Sequence, residues 1–284
     1  MLRLLLLQVL ASCLWLGHSE VVKSFKDCSN FFYAETFPSD VLNPRNPAWI
    51  CQRYSNSYHY ATLYNRDERI PVYSAYIYGP GSDKKPPAWW VVEPQLIGKN
   101  NLKEMLGEKD LIDKYKFTLE EIKASQAVVA DYKKLTGLSH GHLCPSGHKD
   151  TTTSKASTFT LTNIVPQDTS LNNGKWQSYE HRTMIEKTQG CTTTYVITGA
   201  VPGKDHVSSG RVNRPSHIWS AACCLGDKGP KAAWGAIAEN NKDEIELLKL
   251  GELEDNCQSS KSPALCQLHC TQIQEKVLLF RRTK

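Results

Sequence analysis

An α+β fold is what this sequence predicts, on three observations. Tyr58 to Leu63 and Ile70 to Tyr78 are apolar runs flanking the polar turn Asn65-Arg66-Asp67-Glu68, the form of a β-hairpin. Thr118 followed by Glu121 resembles a helix capping box, and Ala124 to Leu135 continues with helical spacing through Val128, Val129 and Tyr132. Between Ser139 and Glu180, a His follows a Gly turn, a short apolar strand ends in Asn163, and a segment of helical spacing carries Glu180.

The length of 284 residues allows a large core, as one domain or one domain with additions. Hydrophobic content of 40% and charged content of 22% are ordinary for a soluble globular chain. The net charge of +5 fits a polyanionic partner without requiring one.

Residues 1–19 read as a secretory signal peptide. Arg3 gives the positive start, Leu4 to Leu16 the apolar run, and Gly17-His18-Ser19 a small-x-small cleavage site. That run is shorter than the roughly 20 residues needed to span a bilayer. The expectation is a secreted, extracellular protein, one domain over residues 20–284, with no stable membrane association. It contains no Asn-x-Ser/Thr sequon. Losing the leader removes Cys13 and leaves nine cysteines. An oxidising compartment should pair most of them. The odd count leaves at least one for a free thiol or an intermolecular bond, and so for a disulfide-linked dimer. Cys144 is the expected odd thiol. Cys257, Cys266 and Cys270 are expected to staple a C-terminal extension beginning near residue 250.

Taken in order, residues 20–57 are loop-rich, broken by Pro38, Pro44 and Pro47, with order beginning at Trp49, Ile50 and Cys51. In the second hairpin strand Val72, Ser74, Tyr76 and Tyr78 should share one face. Packing on a half-buried sheet accounts for these tyrosines more simply than base stacking does. Gly79 to Pro87 is a turn-rich linker carrying Lys84 and Lys85, a solvated loop or a phosphate contact. Tyr195 to Thr198 reads as a strand closed by Gly199. Ile218 to Leu225 is apolar with Trp219 in the core, and Cys223 and Cys224 look like partners in two separate disulfides. Ile245, Leu247, Leu248 and Leu250 suggest a short helix, and Leu278-Leu279-Phe280 a final strand.

The chemistry concentrates in the Ser139–Glu180 stretch. A neutral imidazole such as His142 can take a proton from water near neutral pH. Asn and Glu offer the hard oxygens that Mg²⁺ prefers, and Mg²⁺ takes only one or two protein ligands. One base and one thinly held hard metal suit attack of water on a phosphodiester. Plainer readings exist: His142 as a core histidine, and Asn172 as a helix N-cap. His140, His142, Cys144 and His148 lie within nine residues, but their spacing matches no closed structural zinc pattern. A Cys144–His nucleophile pair finds no activating partner in the sequence.

Four pieces go further: Gly141-His142-Leu143, Thr160 to Gln167, Leu171 to Trp176, and Glu180. Their steps of 21 residues from His142 to Asn163, 9 to Asn172 and 8 to Glu180 resemble the DNA/RNA non-specific endonuclease family. These are the ββα-metal (His-Me finger) nucleases, and the chain is most similar to their vertebrate endonuclease-domain-containing branch. The resemblance implies a central antiparallel sheet with flanking helices, and a metal finger built from the His142 hairpin and the Asn172–Glu180 helix. It implies Mg²⁺-dependent cleavage of DNA and RNA to 5′-phosphate ends, with Mn²⁺ as an alternative cofactor. His142 would be the general base, and Asn163 would support the catalytic geometry. Asn172 would hold the metal directly and Glu180 through its waters. His140, Lys175 and Arg182 are candidate phosphate contacts.

Two departures stand out. The family's Asp-Arg-Gly-His begins here as Ser139-His140, which replaces a fixed bidentate donor by a shorter, mostly neutral ring. A second family arginine falls near Ala88, where Lys84 and Lys85 are the nearest cations. The alternative reading is therefore a catalytically weak or inactive nuclease scaffold that binds nucleic acid or a protein.

Overall fold

The expected hairpin forms in the computed structural model, which describes residues 21–81, 83–98 and 100–253. In chain order the first strands are β1 (Val21–Val22), β2 (Pro47–Tyr54), β3 (Ser57–Asn65), β4 (Ile70–Tyr78), β5 (Leu138–His142) and β6 (Ile164–Asp168). They are followed by β7 (Thr193–Val201), β8 (His206–Val207), β9 (Val212–Asn213), β10 (His217–Gly226), β11 (Gly229–Glu239) and β12 (Glu246–Leu248). Eight of them form one antiparallel sheet in the order β1-β2-β3-β4-β7-β10-β11-β12, while β5 with β6 and β8 with β9 make separate two-stranded ribbons. The leader expected at residues 1–19, Cys257, Cys266, Cys270 and the strand expected at Leu278-Leu279-Phe280 lie outside the described residues.

Both faces of the sheet are covered, which is why its central strands read as nearly continuous apolar runs rather than alternating ones. Phe25, Phe31 and Phe32 from the N-terminal segment cover one face over Leu63, Tyr73, Ala75 and Trp219. On the other, the β5–β6 ribbon and the helices bury Leu143, Leu161, Val165, Leu171 and Trp176 with Ala200 and Ile218, and Tyr179 with Tyr60 and Tyr76. Tyr76 is therefore core, not a stacking platform. The register between β3 and β4 shifts at Leu63/Tyr64, skipping Val72. That bulge turns Val72 towards the N-terminal cluster, away from the face of Tyr76 and Tyr78 on which alternation had placed it.

Tertiary contacts override other local patterns. The Thr118 capping box forms and opens a helix over Leu119–Ser125. The helix expected from Ala124 to Leu135 does not form as one piece: Gln126 is extended (φ −157°, ψ 170°), and a separate turn follows at Val129–Tyr132. The cause is a cross-chain pairing, because the Gln126 amide accepts from Glu93 N and donates to Glu93 O, both at 2.8 Å. Gly199 lies inside β7 rather than closing it. The Trp219 ring fills the place of a side chain there, with Cζ2 2.3 Å from where a Cβ would sit. Residues Glu246–Leu248 are a strand pairing with β11, not helix, and helical backbone begins only at Leu250.

The disulfides also differ in part. Cys28–Cys51 pins the N-terminal segment to β2, and Cys191–Cys224 ties β10 to the loop before β7. Cys224 is paired but Cys223, which faces the opposite way on β10, has no disulfide partner among the described residues, so the two separate disulfides expected of this pair are not both formed there. Cys144 is free among the described residues, as expected. Both thiols are buried, so neither is presented for the disulfide-linked dimer that the odd count suggested.

Candidate active site

The β5–β6 ribbon sets the site. His142 pairs with Ile164, Gly141 with Val165, His140 with Pro166 and Ser139 with Gln167. Gly141 is required by close approach: a Cβ there would lie 2.2 Å from Gln167 Oε1. The strand before Asn163 is not formed; Leu161–Asn163 is a 3₁₀ turn and β6 begins after it. Asn163 is fully buried at that turn. Its Oδ1 accepts from Cys144 N and Ser74 Oγ, each at 2.9 Å, and its Nδ2 donates to the carbonyls of Cys144 and Thr158, each at 3.0 Å. Two lone pairs and two N–H groups are thus all used, which leaves Asn163 no free bonding capacity for a substrate. It clamps the chain just after His142.

His142 packs beneath Trp90 and against the edge of Phe159, with ring centroids 5.6 and 5.3 Å away. Burial pushes its pKa down to about 3, helped by Lys85 and His140 and opposed by a hydrogen bond to the His140 backbone. Nε2 is buried without a hydrogen-bond partner among the described residues. The ring is thus neutral, and its backbone bond falls to Nδ1–H, which leaves the Nε2 lone pair unused.

His140 lies between two aromatic rings, 4.5 Å from Trp90 and 5.0 Å from Tyr132, nearly parallel to both. Burial lowers its pKa. In place of the family arginine it therefore offers at most a neutral N–H, not a cation.

Asn172 lies in the last turn of the helix Thr169–Asn173. The N-cap is Asp168, whose carboxylate accepts from Ser170 N and Leu171 N, so the capping explanation of Asn172 does not hold. Asn172 Nδ2 donates to Ser139 Oγ at 2.9 Å. Glu180 follows in a π-helical turn, Tyr179–Thr183, between the helical pieces Lys175–Ser178 and Met184–Lys187. Such wide turns often mark functional positions. Burial pushes the Glu180 carboxyl up to about 8, while the Trp176 indole and Lys85 pull it down. His148 braces this turn: Nε2 bonds the Glu180 carbonyl at 2.9 Å and Nδ1 meets Tyr76 Oη at 3.0 Å. Both its nitrogens are occupied, which removes it as a metal ligand. Among the described residues no group of three or more His, Cys, Asp or Glu is placed to hold a metal, so the zinc arrangement is not formed.

A cavity of about 430 Å³ brings His140, His142, Asn172 and Glu180 together. Lys85, Lys155 and His181 also line it. Lys175 and Arg182 do not; both are exposed on the helix. The linker holding Lys85 is strapped down. Gly79 N and Gly81 N donate to the carbonyls of His148 and Lys149, and Lys155 Nζ donates to the carbonyls of Gly81 and Asp83. Lys85 was visible in the sequence only as a cation near a missing arginine. Lys155 and His181 carried no sequence signal, because their roles depend on loop and helix packing.

The donor chemistry fits a thinly held hard cation. Asn172 brings an amide oxygen and Glu180 a carboxyl to one cavity, and such an ion needs no dense ligand cluster.

Residues 37–258 match the family described as DNA/RNA non-specific endonuclease. Endonuclease domain-containing 1 protein of Mus musculus is 30% identical over 257 residues, covering 88% of this chain and 49% of the relative. The Homo sapiens protein of that name is 32% identical over 238 residues, 81% of this chain and 45% of its own length. The chain spans about half the length of these curated relatives. Among solved structures, a chain in the crystal structure of the EndoG/EndoGI complex aligns with a TM-score of 0.47 and 16% identity, over 72% of this chain and 83% of that one.

Proposed function

The chain belongs to the DNA/RNA non-specific endonuclease family, and from that premise we propose that it hydrolyses phosphodiester bonds of DNA and RNA at the His142–Asn172–Glu180 cavity, using Mg²⁺ or Mn²⁺. The observation that carries this reading is His142, a neutral ring with an unpartnered buried Nε2, lining the same cavity as Asn172 and Glu180.

In this reading His142 takes the proton of the attacking water. A pKa near 3 keeps the ring in its basic form at neutral pH but makes it a weak base. An anionic phosphate entering the cavity would raise that pKa, because a nearby negative charge favours the imidazolium. Asn172 would hold the cation through Oδ1, and Glu180 through water. When bound, the cation supplies charge neutralisation for the pentacovalent phosphate and the departing oxygen. Lys85 provides the ammonium that faces the phosphate, and the Lys155 strap sets its position. Asn163 and His148 fix the frame without touching substrate. Secretion fits the two disulfides.

The second reading is an attenuated nuclease, or one that only binds. The neutral, sandwiched His140 favours it. A well-placed charge donor can be worth about 3–4 kcal/mol to a transition state, or roughly 10²–10³ in rate. Cleavage of plasmid and RNA with Mg²⁺, Mn²⁺ or EDTA, beside His142→Ala and Asn172→Ala, separates the two. Metal-dependent cleavage lost in both variants supports the enzyme. Cleavage indifferent to His142→Ala, or no cleavage at all, sinks the catalytic assignment.

A further inference from the structure

We propose that Ser139 is a positioning residue that fixes the Asn172 amide with its oxygen turned into the cavity. The proposal rests on the reading of Asn172 as the residue that holds the cation. Ser139 lies on β5, opposite Gln167 across the ribbon. Its hydroxyl donates to the Gln167 carbonyl at 3.4 Å and accepts from Asn172 Nδ2 at 2.9 Å. The Gln167 carbonyl can only accept, so the hydroxyl proton turns towards it and a hydroxyl lone pair faces Asn172. What Ser139 then offers Asn172 is a lone pair, and only the amide NH₂ can use it. Holding the NH₂ against β5 leaves Oδ1 on the cavity side. The reversed amide would have to draw the hydroxyl proton away from the Gln167 carbonyl.

This gives the departure at position 139 a specific meaning. An aspartate there would also accept and never donate, and so would orient the same amide. Serine keeps that acceptor while removing a negative charge from the neighbourhood of the cation. Ser139 is thus a neutral substitute in the positioning role rather than a sign of decay.

The test is Mn²⁺ binding by the full chain, followed by electron paramagnetic resonance of the free ion, with thermal unfolding in EDTA as the control for folding. Ser139→Ala is expected to weaken Mn²⁺ binding about 10-fold or more, the scale of losing a partner that orients a ligand. Its metal-free melting temperature should stay close to wild type. Ser139→Thr and Ser139→Asp, which keep the acceptor, are expected to hold Mn²⁺ at least within a few-fold of wild type. Should Ser139→Ala not fold, these two variants carry the test alone. Wild-type affinity in Ser139→Ala, or loss of affinity in a folded Ser139→Asp, overturns the proposal while leaving the cation reading intact. A wild-type protein that binds Mn²⁺ no better than Asn172→Ala overturns both.

Discussion

Replacing Asn163 by alanine separates a residue that builds the site from one that works in it. The side chain is fully buried and makes four hydrogen bonds of 2.9–3.0 Å. Truncation strands the Cys144 N–H, the carbonyls of Cys144 and Thr158, and one bond of Ser74 Oγ. A stranded buried polar group costs about 1–3 kcal/mol. Ser74 keeps a second partner in Thr62 at 2.9 Å, and a water entering the vacated space can serve one or two of the others. The expected net loss is about 3–5 kcal/mol, a large part of the roughly 5–15 kcal/mol that stabilises a typical domain. Urea unfolding followed by circular dichroism reads it directly as a fall in midpoint at unchanged slope. His142→Ala is the counterpart: it removes the proposed base and a single bond to the His140 backbone, so activity should vanish while stability falls by only about 1–2 kcal/mol. A loss below about 1 kcal/mol for Asn163→Ala would refute the clamp. So would Asn163→Ala behaving like His142→Ala, stable but inactive.

Two further outcomes follow from the electrostatics of the cavity. Lys85→Ala is expected to weaken nucleic-acid binding and to flatten its dependence on log salt by about 0.7–0.9, the share of one phosphate contact, with unfolding unchanged; an unaltered slope would remove Lys85 from the phosphate. Glu180, pushed up to about 8, is protonated at neutral pH in the metal-free protein, so proton and cation compete for it. Cation affinity should rise about tenfold per pH unit below 8 and level off above it, with about one proton released on binding near pH 7. Calorimetry in buffers of different ionisation enthalpy counts that proton, and a count of zero refutes the coupling. The sign for folding is opposite: a carboxyl raised in the folded state favours folding at low pH, and this contribution fades as pH climbs from 4.5 to 8.

What the sequence disclosed was mainly local. The hairpin, its polar turn and the Thr118 capping box are encoded within a few residues, and each forms. The steps between His142, Asn172 and Glu180 also survive folding, because each residue sits at a fixed point of one ribbon or one helix. Hidden features depend on partners far along the chain. Gln126 breaks its helix to pair with Glu93, 33 positions away. Trp219 decides the glycine at position 199. At position 140 the ring is mostly neutral by its residue type alone, and what stays hidden in the sequence is that Trp90 and Tyr132 sandwich it and that burial lowers its pKa further. The π turn around Glu180 has no sequence signature comparable to a proline or a glycine, so spacing alone placed that carboxyl on an ordinary helix.

The charges of the cavity bear on whether this scaffold cleaves or only binds. His140 and His142 are neutral, and Lys155 spends its ammonium on two backbone carbonyls. Among the described lining residues that leaves Lys85 as the principal uncommitted ammonium, and a lysine makes no bidentate contact with a phosphate. In the cleaving reading, most of the positive charge that a pentacovalent phosphate requires would then come from the divalent ion. A site of this kind should depend on cation concentration more steeply than one with two guanidinium groups in place. A module that only binds would hold polyanions through Lys85 and the surface, and added Mg²⁺ would weaken it by screening. Mg²⁺ therefore acts with opposite signs on the two readings: it promotes turnover in the first and loosens the complex in the second. Titrating Mg²⁺ against both cleavage and retention of a labelled single strand distinguishes them even when turnover is slow.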